Sequence, residues 1–221
     1  MTTPTPTPPA ARCQLDHLVV AAATLEQGVQ YVQARLGCEL APGGRHQRMG
    51  THNRLLSLGP GAYLEVIAID PDAQPPQRAR WFGLDGPEVA PLLASGPRLL
   101  TWVVACKDLA AAAEASPWNH GPAESMSRDG LSWQLTIPED GGLIEHGLVP
   151  TLIQWPPGVH PAARLPDEGV RLERLTLLHP EPGLLRSGLE ALELRDQEVV
   201  QDSRPRLRAQ LRIGNREAIL E

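Results

Sequence analysis

Residues 15–21, LDHLVVA, place His17, Val19 and Ala21 on one side and their neighbours on the other, the period-two pattern of a β-strand. Thr24 then offers an N-cap, Gln27 follows three positions later as in a capping box, and helix-forming residues run to Leu36. Gly37 supplies the left-handed residue that commonly ends a helix. A short strand is expected around Glu39, running into a Pro42-Gly43-Gly44 turn. Residues 51–58 read as a strand and Gly59-Pro60-Gly61 as a turn. Residues 62–69 read as a strand with Tyr63, Glu65 and Ile67 on one face. A polar, proline-rich connection, residues 70–80, leads to the aromatic pair Trp81-Phe82.

The same order then recurs. Residues 99–105 form a strand, Asp108 caps an Ala-rich helix to about Ala115, and residues 124–128 and 131–137 flank Asp129-Gly130, a strong two-residue hairpin signal. Residues 138–142 form a loop and residues 151–155 the last strand. Val19-Val20-Ala21 before Thr24-Leu25 matches Val103-Val104-Ala105 before Asp108-Leu109, with the same offset from strand to cap, which marks an internal repeat. A third, shorter segment follows suit. It has a strand at 170–178, a helix with Pro182 in its first turn running to about Leu192, and an alternating strand. In that strand Leu207, Ala209, Leu211 and Ile213 face inward while Arg206, Arg208, Gln210 and Arg212 are solvated. Gly214-Asn215 turns the chain into residues 216–221.

Composition narrows the class. With 221 residues, 42% of them hydrophobic, the chain can bury one sizeable core or two small ones. A net charge of -6 argues against a nucleic-acid partner, which needs clustered Lys and Arg; Lys107 is the only lysine. No run of about 18 apolar residues is present, so no membrane-spanning segment is expected. Residues 1–12 are rich in Thr and Pro, lack the pattern of a signal peptide and are expected to form a disordered arm. Cys13, Cys38 and Cys106 stand far apart with no CxxC spacing and are expected as reduced, buried thiols of a cytoplasmic protein.

Leu15-Asp16-His17-Leu18-Val19, the capped helix after it and Tyr63-Leu64-Glu65 resemble the first module of glyoxalase-like proteins of the vicinal oxygen chelate superfamily. Gly43-Gly44-Arg45-His46, Gly50-Thr51-His52-Asn53, Arg80-Trp81-Phe82-Gly83-Leu84-Asp85 and Pro150-Thr151-Leu152-Ile153-Gln154-Trp155 resemble its bacterial glyoxalase-like branch. The resemblance spans residues 13–195. It implies an α+β fold in which paired βαβββ modules form curved mixed sheets around a cleft, with a third, partial βαβββ module beside them. The expected organisation is an arm at 1–12, a first module at 13–72, a linker at 73–97, a second module at 98–157 and the third, partial module at 168–221. Fold does not name the reaction, because the superfamily hosts isomerases, dioxygenases, epoxide-opening transferases and antibiotic-sequestering proteins.

The resemblance also implies metal ligands on the first and last strands of each module. His17 and Glu65 match those positions in the first module. In the second, the residue seven places before the helix cap is Thr101, a poor ligand, and the last-strand match is Gln154. Arg174 and Glu221 stand at the corresponding places of the third segment. His17, Glu65 and Gln154 are thus the candidate set for one divalent metal ion completed by water.

Other residues point to chemistry by type. A carboxylate among Tyr63, Leu64, Val66 and Ile67 is expensive to bury without a partner or a task, which singles out Glu65. His46 beside the glycine-rich turn is a candidate acid or base. Asn53 shares a face with Thr51 while His52 points away, so Asn53 is the candidate pocket residue and oxyanion donor. Trp81 and Phe82 either anchor the linker or wall the cleft. Trp102, Trp133 and Trp155 lie on strands and are expected in the core, with Trp102 the one expected to face the cleft. His120, His146, His160 and His179 are expected in loops.

The function expected is that of a protein binding a small oxygenated or aromatic molecule between the modules, as a lyase, isomerase or dioxygenase-type enzyme. Catalysis would use the metal as a Lewis acid or, without metal, Glu65 or His46 as base. The alternative is a non-catalytic protein that sequesters an antibiotic-like ligand. A homodimer is compatible with either.

Overall fold

The computed structural model describes residues 13–128 and 130–221. The arm expected at 1–12 and Asp129 of the expected hairpin turn lie outside the described residues.

The first unit comprises β1 (Cys13–Ala21), α1 (Leu25–Leu36), β2 (Ala41–His46), β3 (Thr51–Ser57) and β4 (Tyr63–Ile69). A connection holding α2 (Val89–Ala94) leads to β5 (Arg98–Cys106), α3 (Leu109–Ala115), β6 (Ala123–Arg128), β7 (Leu131–Thr136) and β8 (Thr151–Gln154). The third unit comprises β9 (Val170–His179), α4 (Pro182–Ala191), β10 (Glu198–Gln201), β11 (Arg206–Ile213) and β12 (Arg216–Leu220). The starts of α1 and α3 are capped as the sequence predicts. Thr24 Oγ1 accepts from Gln27 N at 3.2 Å and Asp108 Oδ1 accepts from Ala111 N at 3.0 Å, each satisfying a backbone donor that the helix leaves open. Gly37 ends α1 at φ 69, where its missing side chain removes the steric cost of the left-handed region.

Eight strands form one curved sheet in the order β2-β3-β4-β1-β5-β8-β7-β6. The two modules join at its middle, where β1 and β5 run antiparallel. Curvature brings the two outer ends together: Arg48, after β2, donates to the Ser125 carbonyl of β6 at 2.7 Å and to Glu124 at 2.5 Å. The concave face therefore encloses a cleft. The convex face carries Leu18, Val20, Leu64, Trp102 and Val104, which pack on Val32 and Leu36 of α1 and Leu109 and Ala112 of α3. Leu175, Leu177, Leu185, Leu189 and Leu207 of the third unit enter the same core. That unit has its own sheet, β10-β9-β11-β12. It repeats the element order of the modules, yet its first strand pairs in parallel with β10 rather than with the last strand.

Several expectations are corrected. Pro42-Gly43-Gly44 is not a turn but the middle of β2, with a register irregularity between Pro42 and Arg45. A side chain at Gly43 would place its Cβ 2.1 Å from Asn53 Oδ1, so glycine is what lets β2 approach β3. Cys13 and Cys106 are not reduced thiols. They are register partners at one end of the β1–β5 pair, with Cα atoms 4.4 Å apart, and form a disulfide, while Cys38 is free. The pairing spans 93 positions, so only the strand register reveals it. His179 is the last residue of β9 rather than a loop residue, and α2 and β10 arise where no element was expected. Among the described residues, no helix is long and apolar enough to cross a membrane.

Candidate functional site

Alternation along β1 puts His17, Val19 and Ala21 on the concave face, and register sets His17 beside Tyr63 and Val19 beside Glu65 of β4. Between Leu15, paired with Val104, and His17, paired with Val103, Asp16 is the extra residue of a β-bulge. Bulges re-aim side chains, and here Asp16 reaches the inside although strict alternation would turn it away from His17. Its carboxylate is fully buried and fully engaged. Oδ1 lies 2.6 Å from His17 Nδ1, and Oδ2 meets Trp155 Nε1 at 2.8 Å and His160 Nε2 at 3.0 Å. Burial alone would raise this carboxyl, but the hydrogen bonds from His160 and His17 outweigh it and hold Asp16 well below the usual carboxylate range. An ionised Asp16 fixes a proton on His17 Nδ1, and His17 Nε2 then faces Glu65 Oε2 at 3.6 Å. The His17 ring stacks on Tyr63, with centroids 4.5 Å apart.

Glu65 is 6% exposed. Its Oε1 accepts from Asn53 Nδ2 at 2.5 Å, and Asn53 Oδ1 in turn accepts from Gly44 N at 2.8 Å. The Gly44 bond decides which way round the amide sits, because a flipped Asn53 would set two donors against each other. One carboxylate oxygen is thereby anchored and the other turned toward the cleft.

His46 is buried between Thr51 Oγ1, 3.0 Å from its Nδ1, and Arg128 Nη1, 3.0 Å from its Nε2. Burial first, then the Arg128 charge, pushes its imidazole well below the ordinary value. The ring is neutral, accepts from Arg128 through Nε2 and donates through Nδ1. His46 holds Arg128 in place, and its ring meets Trp81 edge-on at 4.9 Å.

These groups border one narrow cleft. The first module supplies His17, Tyr63, Glu65 and His46; the second supplies Arg128, Trp133, Leu135, Ile153 and Trp155; the connection supplies Trp81 and Phe82. Phe82 sits at φ 58, a left-handed conformation costing about 1 kcal/mol for a bulky residue. Gly83 N, bonded to Gly141 O at 2.7 Å, helps to hold that turn against the cleft. Trp81 Nε1 is buried and meets no acceptor among the described residues.

Two expected site residues face elsewhere. Ile153 points into the cleft, so its neighbour Gln154 points to the convex side, where Oε1 accepts from Leu109 N at the start of α3 at 2.9 Å. Trp102 likewise lies on the convex side, wholly buried, with Nε1 donating to Leu148 O at 2.9 Å. It is a core residue, while Trp133 and Trp155, expected in the core, border the cleft. Thr101 donates to Gly147 O at 3.1 Å. The candidate metal set therefore does not assemble. The second module sets a guanidinium and apolar side chains opposite His17 and Glu65, and the residues do not fit a divalent ion. No group of three or more His, Cys, Asp or Glu side chains suited to a metal occurs among the described residues. Sequence reasoning passed over Asp16, hidden by its bulge, and Arg128. His160 read as a loop residue, yet it caps the 3-10 turn Pro161–Arg164 and bonds Asp16.

The family model of the glyoxalase-like domain matches residues 15–193. No curated protein matches the sequence. Among solved structures, a hypothetical protein from Staphylococcus aureus superposes with a TM-score of 0.58 at 16% identity, covering 94% of this chain and 84% of its own. Methylmalonyl-CoA epimerase from Mycobacterium tuberculosis aligns at 18% identity over 65% of this chain and 88% of its own, with a TM-score of 0.42. A mutant 4-hydroxymandelate synthase from Streptomyces coelicolor aligns at 14% identity over 92% of this chain and 60% of its own, with a TM-score of 0.46.

Proposed function

The chain belongs to the glyoxalase-like domain family of the vicinal oxygen chelate superfamily, and from that premise we propose that its cleft is an isomerase- or lyase-type active site. The substrate is a small carbonyl compound, and the reaction removes a proton from the carbon beside the carbonyl. The observation that carries this reading is the divided Glu65 carboxylate, with Oε1 anchored by Asn53 and Oε2 facing the cleft beside His17 Nε2. An anchored base keeps its geometry through the reaction and loses little freedom in the transition state.

In this reading Glu65 Oε2 takes the proton, and the C–H electron pair moves into the carbonyl to give an enolate. The Arg128 guanidinium, which borders the cleft, is the donor for the developing oxygen charge. His17, oriented by Asp16, passes the proton on or returns it. Asn53 is a positioning residue here, because one of its two amide N–H groups holds Glu65. No metal enters the scheme.

The test is deuterium exchange at the carbon beside the carbonyl, followed by NMR for a panel of small ketones and keto acids in heavy water. Native protein should accelerate exchange and Glu65→Gln should reduce it about 100-fold or more. A Glu65→Gln protein that exchanges at the native rate sinks the reading. A second reading, a non-catalytic binder of a planar ligand, is favoured by the aromatic walls Trp81, Phe82, Trp133 and Trp155. It is the outcome if ligands quench tryptophan fluorescence while native protein exchanges nothing.

A further inference from the structure

A second depression adjoins the cleft. It is open to solvent and is lined by Leu40, Ala41, Leu55, Leu131 and Leu165, with Glu39, Arg164 and Glu168 beside them. Arg128 borders both spaces. On the other side of the divide, Leu55 packs in one cluster with Tyr63 of the cleft and with Ala162 and Leu165.

Strand register sets the two spaces side by side. In β3, Asn53 and Leu55 point the same way, and Leu55 is the register partner of Glu65 itself. Ala41 of β2 is in turn the partner of Leu55, which extends the same face outward. In β7, Leu131 of the groove, then Trp133 and Leu135 of the cleft, follow at two-residue steps along one face. An apolar surface thus begins one strand away from the carboxylate, and a guanidinium stands at the boundary.

We infer that the groove is a subsite for an apolar tail of the cleft's own ligand. The substrate class is an amphipathic carbonyl compound whose oxygen-bearing head lies at Glu65 and whose hydrocarbon chain runs past Arg128 along Leu55, Leu131 and Leu165. This deepens the proposed function and rests on it. Arg128 suits the neck because its planar fork can donate to a carbonyl or carboxylate oxygen while the chain passes along its apolar stem. An apolar groove beside a polar pocket has a use for a substrate with both characters, and a small polar metabolite would leave it uncovered.

The experiment measures binding of acetone, methyl butyl ketone and methyl octyl ketone to the full chain by calorimetry. Affinity should rise about fourfold for each methylene that enters the groove. Ala41→Trp, which fills the groove from the edge strand, should collapse the ratio of the longest ketone's affinity to that of acetone. Leu165→Glu should do the same by charge, and thermal midpoints report whether either variant folds. Affinity that does not grow with chain length in the native protein overturns the inference. So does length dependence that survives both folded variants. Failure of Glu65→Gln to slow exchange, with length dependence intact, instead strikes the base and leaves the groove standing.

Discussion

Asn53 and Glu65 face each other from β3 and β4, the amide nitrogen of one 2.5 Å from a carboxylate oxygen of the other. The pair depends on a third strand, because Gly44 N orients the amide and Gly43 leaves room for it. A methyl at Gly43 would meet Asn53 Oδ1 at 2.1 Å and its carbonyl oxygen at 2.3 Å. Gly43→Ala is therefore expected to push Asn53 off Glu65, destabilise the fold by about 1–3 kcal/mol and cut proton exchange at least about tenfold. Urea unfolding and the exchange assay check it. A variant with native exchange would show that Asn53 does not position the carboxylate.

Asp16 is the second support. Its anion receives His17, Trp155 and His160 at once, joining β1, the end of the second module and the turn at Pro161–Arg164. Asp16→Asn keeps the shape but brings an N–H toward groups that are already donors. The expected results are a loss of about 3 kcal/mol or more in stability and a shift of the His17 imidazole to its other tautomer. Nitrogen NMR of labelled histidine reads the tautomer, which a purely structural Asp16 would leave unchanged.

The element order was legible because strand alternation and helix caps are local: Thr24, Gly37 and Asp108 do in the structure what their chemistry implies. The site was legible only in its first half. His17, Asn53 and Glu65 come together because each follows strand alternation. Gln154 failed for the same reason inverted. A match to the family pattern fixes position only to within a residue, and one residue on a strand is the difference between two faces. Trp102 failed likewise. Asp16 was hidden by a bulge and the Cys13–Cys106 pairing by a register across distant segments, neither of which leaves a mark in local composition.

Stability should fall as the solution is acidified below pH 6.5, and His120 is one cause. Its imidazole is buried behind Ser116, and burial lowers its pKa from 6.5 to about 4. Between those values the unfolded chain binds a proton that the folded one refuses, so the stabilisation is full above pH 6.5 and is lost as pH falls toward 4. The linked energy is about 3 kcal/mol at most. His46 acts with the same sign. Urea unfolding at neutral pH and near pH 4.5 should show a large loss for the native chain and a smaller one for His120→Asn. Equal losses would mean that His120 is free to protonate in the folded state.

The disulfide yields the last prediction. Cys13 opens β1 and Cys106 closes β5, so their bond fastens one end of the seam along which the two modules pair. His17 and Val103 lie further along that seam, at the edge of the site. Linking positions separated by 93 residues restricts the unfolded chain, an effect worth up to about 5 kcal/mol in the chain-entropy account. Denatured without reductant, the oxidised protein should present one thiol, that of Cys38, and three after reduction. Reduction should also lower the thermal midpoint, as should Cys106→Ala, whose small apolar side chain suits the buried position. Because β1 and β5 remain hydrogen-bonded along their length, the strands should stay paired and ketone binding should persist at moderate temperature. Three thiols before reduction, in protein never exposed to a reducing agent, would refute the pairing. An unchanged thermal midpoint on reduction would show that the seam is held by its strand pairing alone.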